Sequence, residues 1–129
     1  ATLRGTARRH VLTFADTWAP GEAPARPLPA AVGAGQIKAF RLPTGPRPEA
    51  GKASVLLGVL SGEADRLEIR LNGTACPLRG RRELLPPAPA FPVQAFEIPP
   101  AALYRGDNVI EVTPVQEITI GWVEIEIRP

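Results

Sequence analysis

The chain has 129 residues, with 15 basic and 13 acidic side chains, a formal charge of +2 and a pI near 9.2. That length makes a single domain able to bury a core without metal or disulfide staples, and the near balance of charge argues against the concentrated basic surface of a nucleic-acid binder. Sixteen prolines, over twice the number expected at the roughly 5% of average usage, together with twelve glycines, exclude an all-helical fold.

No stretch approaches the roughly 20 apolar residues of a transmembrane helix, and no basic start precedes an apolar signal core, so no membrane partner is expected. Residue 1 is Ala, which we read as a cut from a longer protein. We expect residues 1–129 to form one domain.

In chain order, HVLTFAD alternates Leu12 with Phe14, and QIKAFRLP alternates Phe40 with Leu42, the period-two signature of strands with one buried face. SVLLGVL, residues 54–60, is apolar on both faces, which predicts a central strand covered on each side or one whose outer face meets another domain. RLEIRLNG places Leu67, Ile69 and Leu71 on one side and Glu68, Arg70 and Asn72 on the other. Asn72 and Gly73 then supply the two positive-φ residues of a type I′ turn, so the chain must fold back there.

AFEIPP and NVIEVTP repeat the alternation at Phe96 and Ile98, and at Ile110 and Val112. Between them PPAALYRGDN predicts one helical turn, with Pro100 at its start and Gly106 at its end. The last segment changes phase: Ile118, Ile120 and Trp122 share one parity, while Val123, Ile125 and Ile127 share the other. A β-bulge near Gly121 reconciles the halves. The proline-rich stretches at 19–30, 43–52 and 78–92 read as ordered surface loops, and loops of this length carry function or contact a neighbour.

Strands dominate and no βαβ rhythm appears, which predicts an all-β fold of two antiparallel sheets packed as a sandwich. The order of elements also resembles the galactose-binding-domain-like jelly rolls attached to bacterial glycoside hydrolases. The residues that carry the likeness are the strand ending Leu71-Asn72-Gly73, the Phe96-Glu97-Ile98-Pro99 strand, the LxxGxN turn from Leu103 to Asn108 and the strand Ile110-Glu111-Val112. RPLPAAVGAGQIKAFRLP upstream resembles the opening of some such domains, so the likeness spans roughly residues 28–128. It implies an accessory module of a larger, sugar-processing protein whose partner is a neighbouring catalytic domain. It implies no cofactor and leaves the compartment open, extracytoplasmic if the parent is secreted.

The chemistry-bearing residues favour binding or docking over catalysis. His10 is the sole histidine and shares parity with Leu12 and Phe14, which predicts a partly buried imidazole. Ser54 and Ser61 lack a GxSxG elbow, and no HExxH or other metal-ligand spacing occurs. Glu124 and Glu126 project about 7 Å apart from one face of the last strand, a spacing open to a carboxylate pair; alternation alone explains them as a solvated strand face. Cys76 is alone, and a half-buried unreactive thiol is the expectation. Asp16, Asp65 and Asp107 form no calcium loop, and the latter two read as turn caps.

A carbohydrate ligand would use aromatic rings beside polar side chains. The candidates are Trp18 in a proline-rich loop, Tyr104 in the helical turn, Trp122 at the phase change, and Arg81 and Arg82 for an acidic glycan or a carboxylate-lined partner surface. Phe91 is a further loop aromatic. Two functions follow: a non-catalytic module packed on a catalytic domain, preferred because of the two-faced strand and stiff loops, and an autonomous carbohydrate-binding module.

Overall fold

The computed structural model describes residues 8–12, 28–44, 52–63, 66–103 and 106–128. Among these are ten strands, β1 (Arg8–Val11), β2 (Ala30–Val32), β3 (Lys38–Pro43), β4 (Lys52–Ser61), β5 (Leu67–Leu71), β6 (Thr74–Ala75), β7 (Leu78–Arg82), β8 (Val93–Ile98), β9 (Asp107–Pro114) and β10 (Ile118–Arg128), with one 3-10 turn at Pro100–Ala102. They form two antiparallel sheets, a six-stranded one ordered β1-β10-β4-β8-β7 with β2 also on β10, and a four-stranded one ordered β3-β9-β5-β6. The fold is a two-sheet β-sandwich.

The core lies where the apolar halves of the alternating strands meet. Phe40, Leu42, Ile69, Leu71, Ile110 and Val112 of the smaller sheet join Val55, Leu57, Phe96, Ile120, Val123 and Ile125 of the larger in one buried cluster. Each such side chain stabilises by about 1.5–3 kcal/mol relative to leaving it in water. In β4, residues 53–59 are buried without interruption, as a strand covered on both sides requires.

The Asn-Gly turn forms as expected, with φ of 52° at Asn72 and 86° at Gly73 between paired β5 and β6. The bulge also forms: β10 slips register against β4 between Thr119 and Ile120 and again between Ile120 and Trp122, leaving Gly121 unpaired. The slip precedes Trp122, so Ile118 and Ile120 face the core together with Val123, Ile125 and Ile127. The helical turn begins with Pro100 in its first position and closes at Ala102 rather than reaching Gly106, whose φ is +93°.

Two strands depart from the sequence reading. Residues 78–92 were expected to be loop throughout, yet Leu78–Arg82 pairs with β8. Residues 19–30 were likewise read as loop, and Ala30 already pairs with Ile120. Both segments lack alternating large apolar residues; tertiary pairing with a neighbour's exposed edge supplies what local propensity does not.

The LNG and LxxGxN motifs explain each other. The Asn72 side chain donates through Nδ2 to Asn108 Oδ1 (2.8 Å) and to the Ala102 carbonyl (2.8 Å), while its Oδ1 accepts from the Val109 N–H (2.9 Å). Buried Asn108 donates in turn to Thr44 Oγ1 (2.9 Å) and the Gly106 carbonyl (3.2 Å). The motifs thus tie the hairpin tip to β3 and β9 through a satisfied polar network, which accounts for them structurally. Arg8 pairs with Ile127, so the start of β1 and the end of β10 lie side by side, at this same end of the sandwich.

Candidate functional site

The chemistry concentrates on the outer face of the six-stranded sheet. There β10 presents Trp122, Glu124 and Glu126, β4 presents Ser54, Leu56 and Gly58, β8 presents Val93 and Ala95, β1 presents Arg9, and β7 ends in Arg82. Residues 83–92 leave β7 and cross this face as a strap. Leu84 packs with Leu56, Val93, Ala95 and Trp122 in a second apolar cluster. Phe91 rests on two glycines: a Cβ at Gly58 would lie 2.7 Å from its ring, and one at Gly121 2.6 Å. Here glycine is required by close approach, and the ring is held by backbone on its sheet side.

Arg9 fastens the strap's far side. Its Nη1 donates to the Leu85 carbonyl (2.7 Å) and its Nη2 to the Pro87 carbonyl (2.6 Å). The same guanidinium makes a two-pronged pair with Glu124, Nε to Oε2 at 2.6 Å and Nη2 to Oε1 at 2.9 Å. Trp122 Nε1 donates to Glu124 Oε1 at 3.0 Å. The hydrogen bond to Glu124 raises the Arg9 pKa above its ordinary value despite partial desolvation. Glu126 accepts from Arg82 Nη1 and lies 3.4 Å from Arg128 Nε.

This corrects the reading of Glu124 and Glu126 as a solvated face. Glu124 is wholly buried and Glu126 nearly so. Alternation placed them correctly opposite Val123 and Ile125, but the strap, invisible to a period-two pattern, covers them. Trp122, the aromatic at the phase change, is half-buried on the outer face, in the second cluster.

A cleft of about 320 Å³ opens between the end of β7 and the strap, lined by Arg81, Arg82, Glu83, Leu84, Pro89 and Phe91, among others. Arg81 and Arg82 both line it, but as consecutive residues of β7 they project to opposite faces of the strand, Arg82 toward Glu126 on the outer face; Trp122 packs with Leu84 in the strap's apolar cluster. Trp18 and Tyr104 lie outside the described residues, as do Phe14, Asp16 and Asp65. Asp107 is exposed and lies 3.6 Å from Arg41. His10 is half-buried and lies across from Ile125, in keeping with its parity. Cys76 is buried, and desolvation pushes its thiol pKa up to about 11, so it is no nucleophile at neutral pH. Sequence reasoning did not offer Arg9 as a site residue. The signal that could have found the strap was the pair Gly58 and Gly121 in otherwise strongly apolar strands, a mark of something approaching closely.

No protein-family model matches the chain, and no curated protein sequence matches it significantly. Solved structures do match. Wild-type BuGH86 in complex with neoagarooctaose, and a variant of it with the same ligand, each share 17% identity at a TM-score of 0.65, over 94% of this chain and 18% of that chain. BpGH86A, a β-porphyranase of glycoside hydrolase family 86 from the human gut bacterium Bacteroides plebeius, shares 14% at a TM-score of 0.61, over 94% and 20%. At these identities the likeness is one of fold. The chain spans about a fifth of the length of the structures it matches.

Proposed function

We propose that the chain is a non-catalytic accessory β-sandwich, of the galactose-binding-domain-like jelly-roll kind, belonging to a larger glycoside-hydrolase-like protein and packing against its catalytic domain. The observation that carries this reading is the extent of the match: nearly the whole chain corresponds in fold to a small part of each hydrolase. The jelly-roll kind draws support from the strand order, in which β3, β4 and β5 alternate between the two sheets and β8, β9 and β10 do so again. Against a catalytic role stands the state of Glu124 and Glu126: each is held by a guanidinium, Glu124 by Arg9 and Glu126 by Arg82. Such a pair is committed to the fold and has no open side for a glycosidic bond.

Docking needs an apolar surface, and the loops carrying Ile37 and Val115 offer one. Both side chains are more than half exposed, and the loops are joined by a Gly35 N–H bond to the Pro114 carbonyl at 2.8 Å. Scattered exposed apolar residues are ordinary, but two beside an open groove over Leu67 and Pro114 form a patch. Titrating the 129-residue chain against the separately produced remainder of its parent tests this, read by calorimetry. The expected result is binding that Ile37→Glu with Val115→Glu weakens at least about tenfold, or roughly 1.4 kcal/mol. Absence of association, with both parts folded, overturns it.

A second reading, an autonomous carbohydrate-binding module, is favoured by the cleft that gathers Arg81, Arg82 and Phe91. Retardation of the chain in polysaccharide gels supports it.

A further inference from the structure

We propose that Asn72 is a site of spontaneous deamidation whose reaction the native hairpin blocks, so that the chain is modified there only when β5 and β6 come apart from β9, and then irreversibly. The proposal is independent of the parent protein. It rests on the tip of this one hairpin.

The chemistry follows from the dipeptide. The backbone nitrogen of Gly73, after losing its proton to base, attacks Asn72 Cγ; the Cγ–Nδ2 bond breaks, ammonia leaves with a proton from water, and a five-membered succinimide closes. Water then adds to one of the two ring carbonyls and a ring C–N bond opens, giving either an aspartyl residue or an isoaspartyl link in which the main chain runs through Cβ and Cγ. Nothing is oxidised or reduced. Gly73 has no side chain to shield its nitrogen, and no other group lies within 4 Å of where a Cβ would stand. The chain's other asparagine, Asn108, precedes Val109, whose branched side chain crowds the same attack.

The folded hairpin opposes each part of this sequence. Asn72 Nδ2 donates to the Ala102 carbonyl and to Asn108 Oδ1, both at 2.8 Å, while Oδ1 accepts from the Val109 N–H at 2.9 Å. The Asn72 backbone N–H donates to the Val109 carbonyl at 2.8 Å. Backbone and side chain are thus both tied to one residue of β9. Bringing Cγ onto the Gly73 nitrogen requires rotation about χ1, which breaks all three side-chain bonds together. Ring closure also needs a ψ remote from the left-handed region, in which the turn holds Asn72 at a φ of 52°. Every one of these restraints vanishes when the hairpin opens.

Neither product fits the hairpin again. An aspartyl side chain lacks the Nδ2 donor, so a part-buried carboxylate would face two acceptors, the Ala102 carbonyl and Asn108 Oδ1. An isoaspartyl residue adds a backbone atom to a two-residue turn whose flanks, Leu71 and Thr74, stand in fixed register. An opening that would otherwise reverse becomes permanent.

The test holds the 129-residue chain at about pH 8 across a series of urea concentrations and follows the peptide containing Asn72 by mass spectrometry, with isoaspartyl methyltransferase labelling to count the isomer. Expected is conversion at least about tenfold slower in native buffer than in the unfolded chain, a rate that climbs through the transition with the unfolded fraction, and slower conversion of Asn108 throughout. Chains converted in urea should not regain the native urea midpoint on dilution, whereas chains unfolded only briefly should. Asn72→Asp, made directly, should unfold at lower urea or not fold at all. Equal conversion rates in native and unfolded chains, a rate indifferent to urea, no conversion in the unfolded chain, or a wild-type midpoint for Asn72→Asp each overturn the proposal.

Discussion

The two faces of the six-stranded sheet are built from the same strands and held by different physics. Toward the smaller sheet, β4 and β10 present Val55, Leu57, Val123 and Ile125, and nothing there asks for a partner more specific than another apolar surface. Away from it, the same strands present Leu56, Gly58, Trp122, Glu124 and Glu126, beneath a strap of the chain's own residues. The inner face tolerates imprecision, because apolar contact is non-directional. The outer face does not, because a buried carboxylate without its guanidinium, or a ring without its glycine floor, has no cheap substitute.

The sharpest way to break the comparison is Glu124→Ala. It strands Arg9 beneath the strap and removes the acceptor of Trp122, and should cost about 3–5 kcal/mol in urea unfolding. The paired replacement Arg9→Met with Glu124→Leu should recover most of that loss, since an apolar pair of similar volume is often no worse than a buried ion pair. If both variants lose the same amount, the outer face works by packing alone and the distinction drawn here fails.

Next in size is Gly58→Ala. The new methyl would meet the Phe91 ring at 2.7 Å and Trp122 Cβ at 2.9 Å, and overpacking of this kind costs about 1–3 kcal/mol. Adding Phe91→Ala should return part of it, and the double-mutant coupling measures how firmly the ring sits on the sheet.

The smallest effect concerns the inner core and pH. Burial raises the Cys76 pKa from 9.0 to about 11. The folded state therefore holds the thiol proton more tightly than the unfolded state does. Its contribution to stability is full below about pH 9 and is lost as pH rises toward 11. At pH 8, labelling by a disulfide reagent should be about a hundredfold slower in the native protein than in denaturant, from the thiolate fraction alone. Fast native labelling would show that water reaches this side of the core.

Much of the sandwich was readable because large apolar residues alternate in β3, β5, β8 and β9, and because Asn72-Gly73 and Gly121 mark a turn and a bulge by backbone chemistry. What escaped reading lacked such marks. β7 consists of arginines around Gly80 and owes its form to hydrogen bonds from β8. At the candidate site, Arg81 and Arg82 stood out as a basic cluster, and Trp122 as an aromatic at a phase change. Arg9 did not, because its partners are 76 to 115 residues away in sequence. Likewise, alternation tells which side of a strand Glu124 occupies, and only a long-range contact tells whether water is there.

The Arg9 clasp joins an edge strand to a loop that departs from the opposite edge. Peeling β1 from the sheet must release the strap, and lifting the strap must free β1, so neither fluctuates alone. Whatever opens the cleft fully, be it a protease or a mechanical pull along the chain, also loosens the border of the sheet, and the least stable cooperative unit of the fold is shared between its two margins.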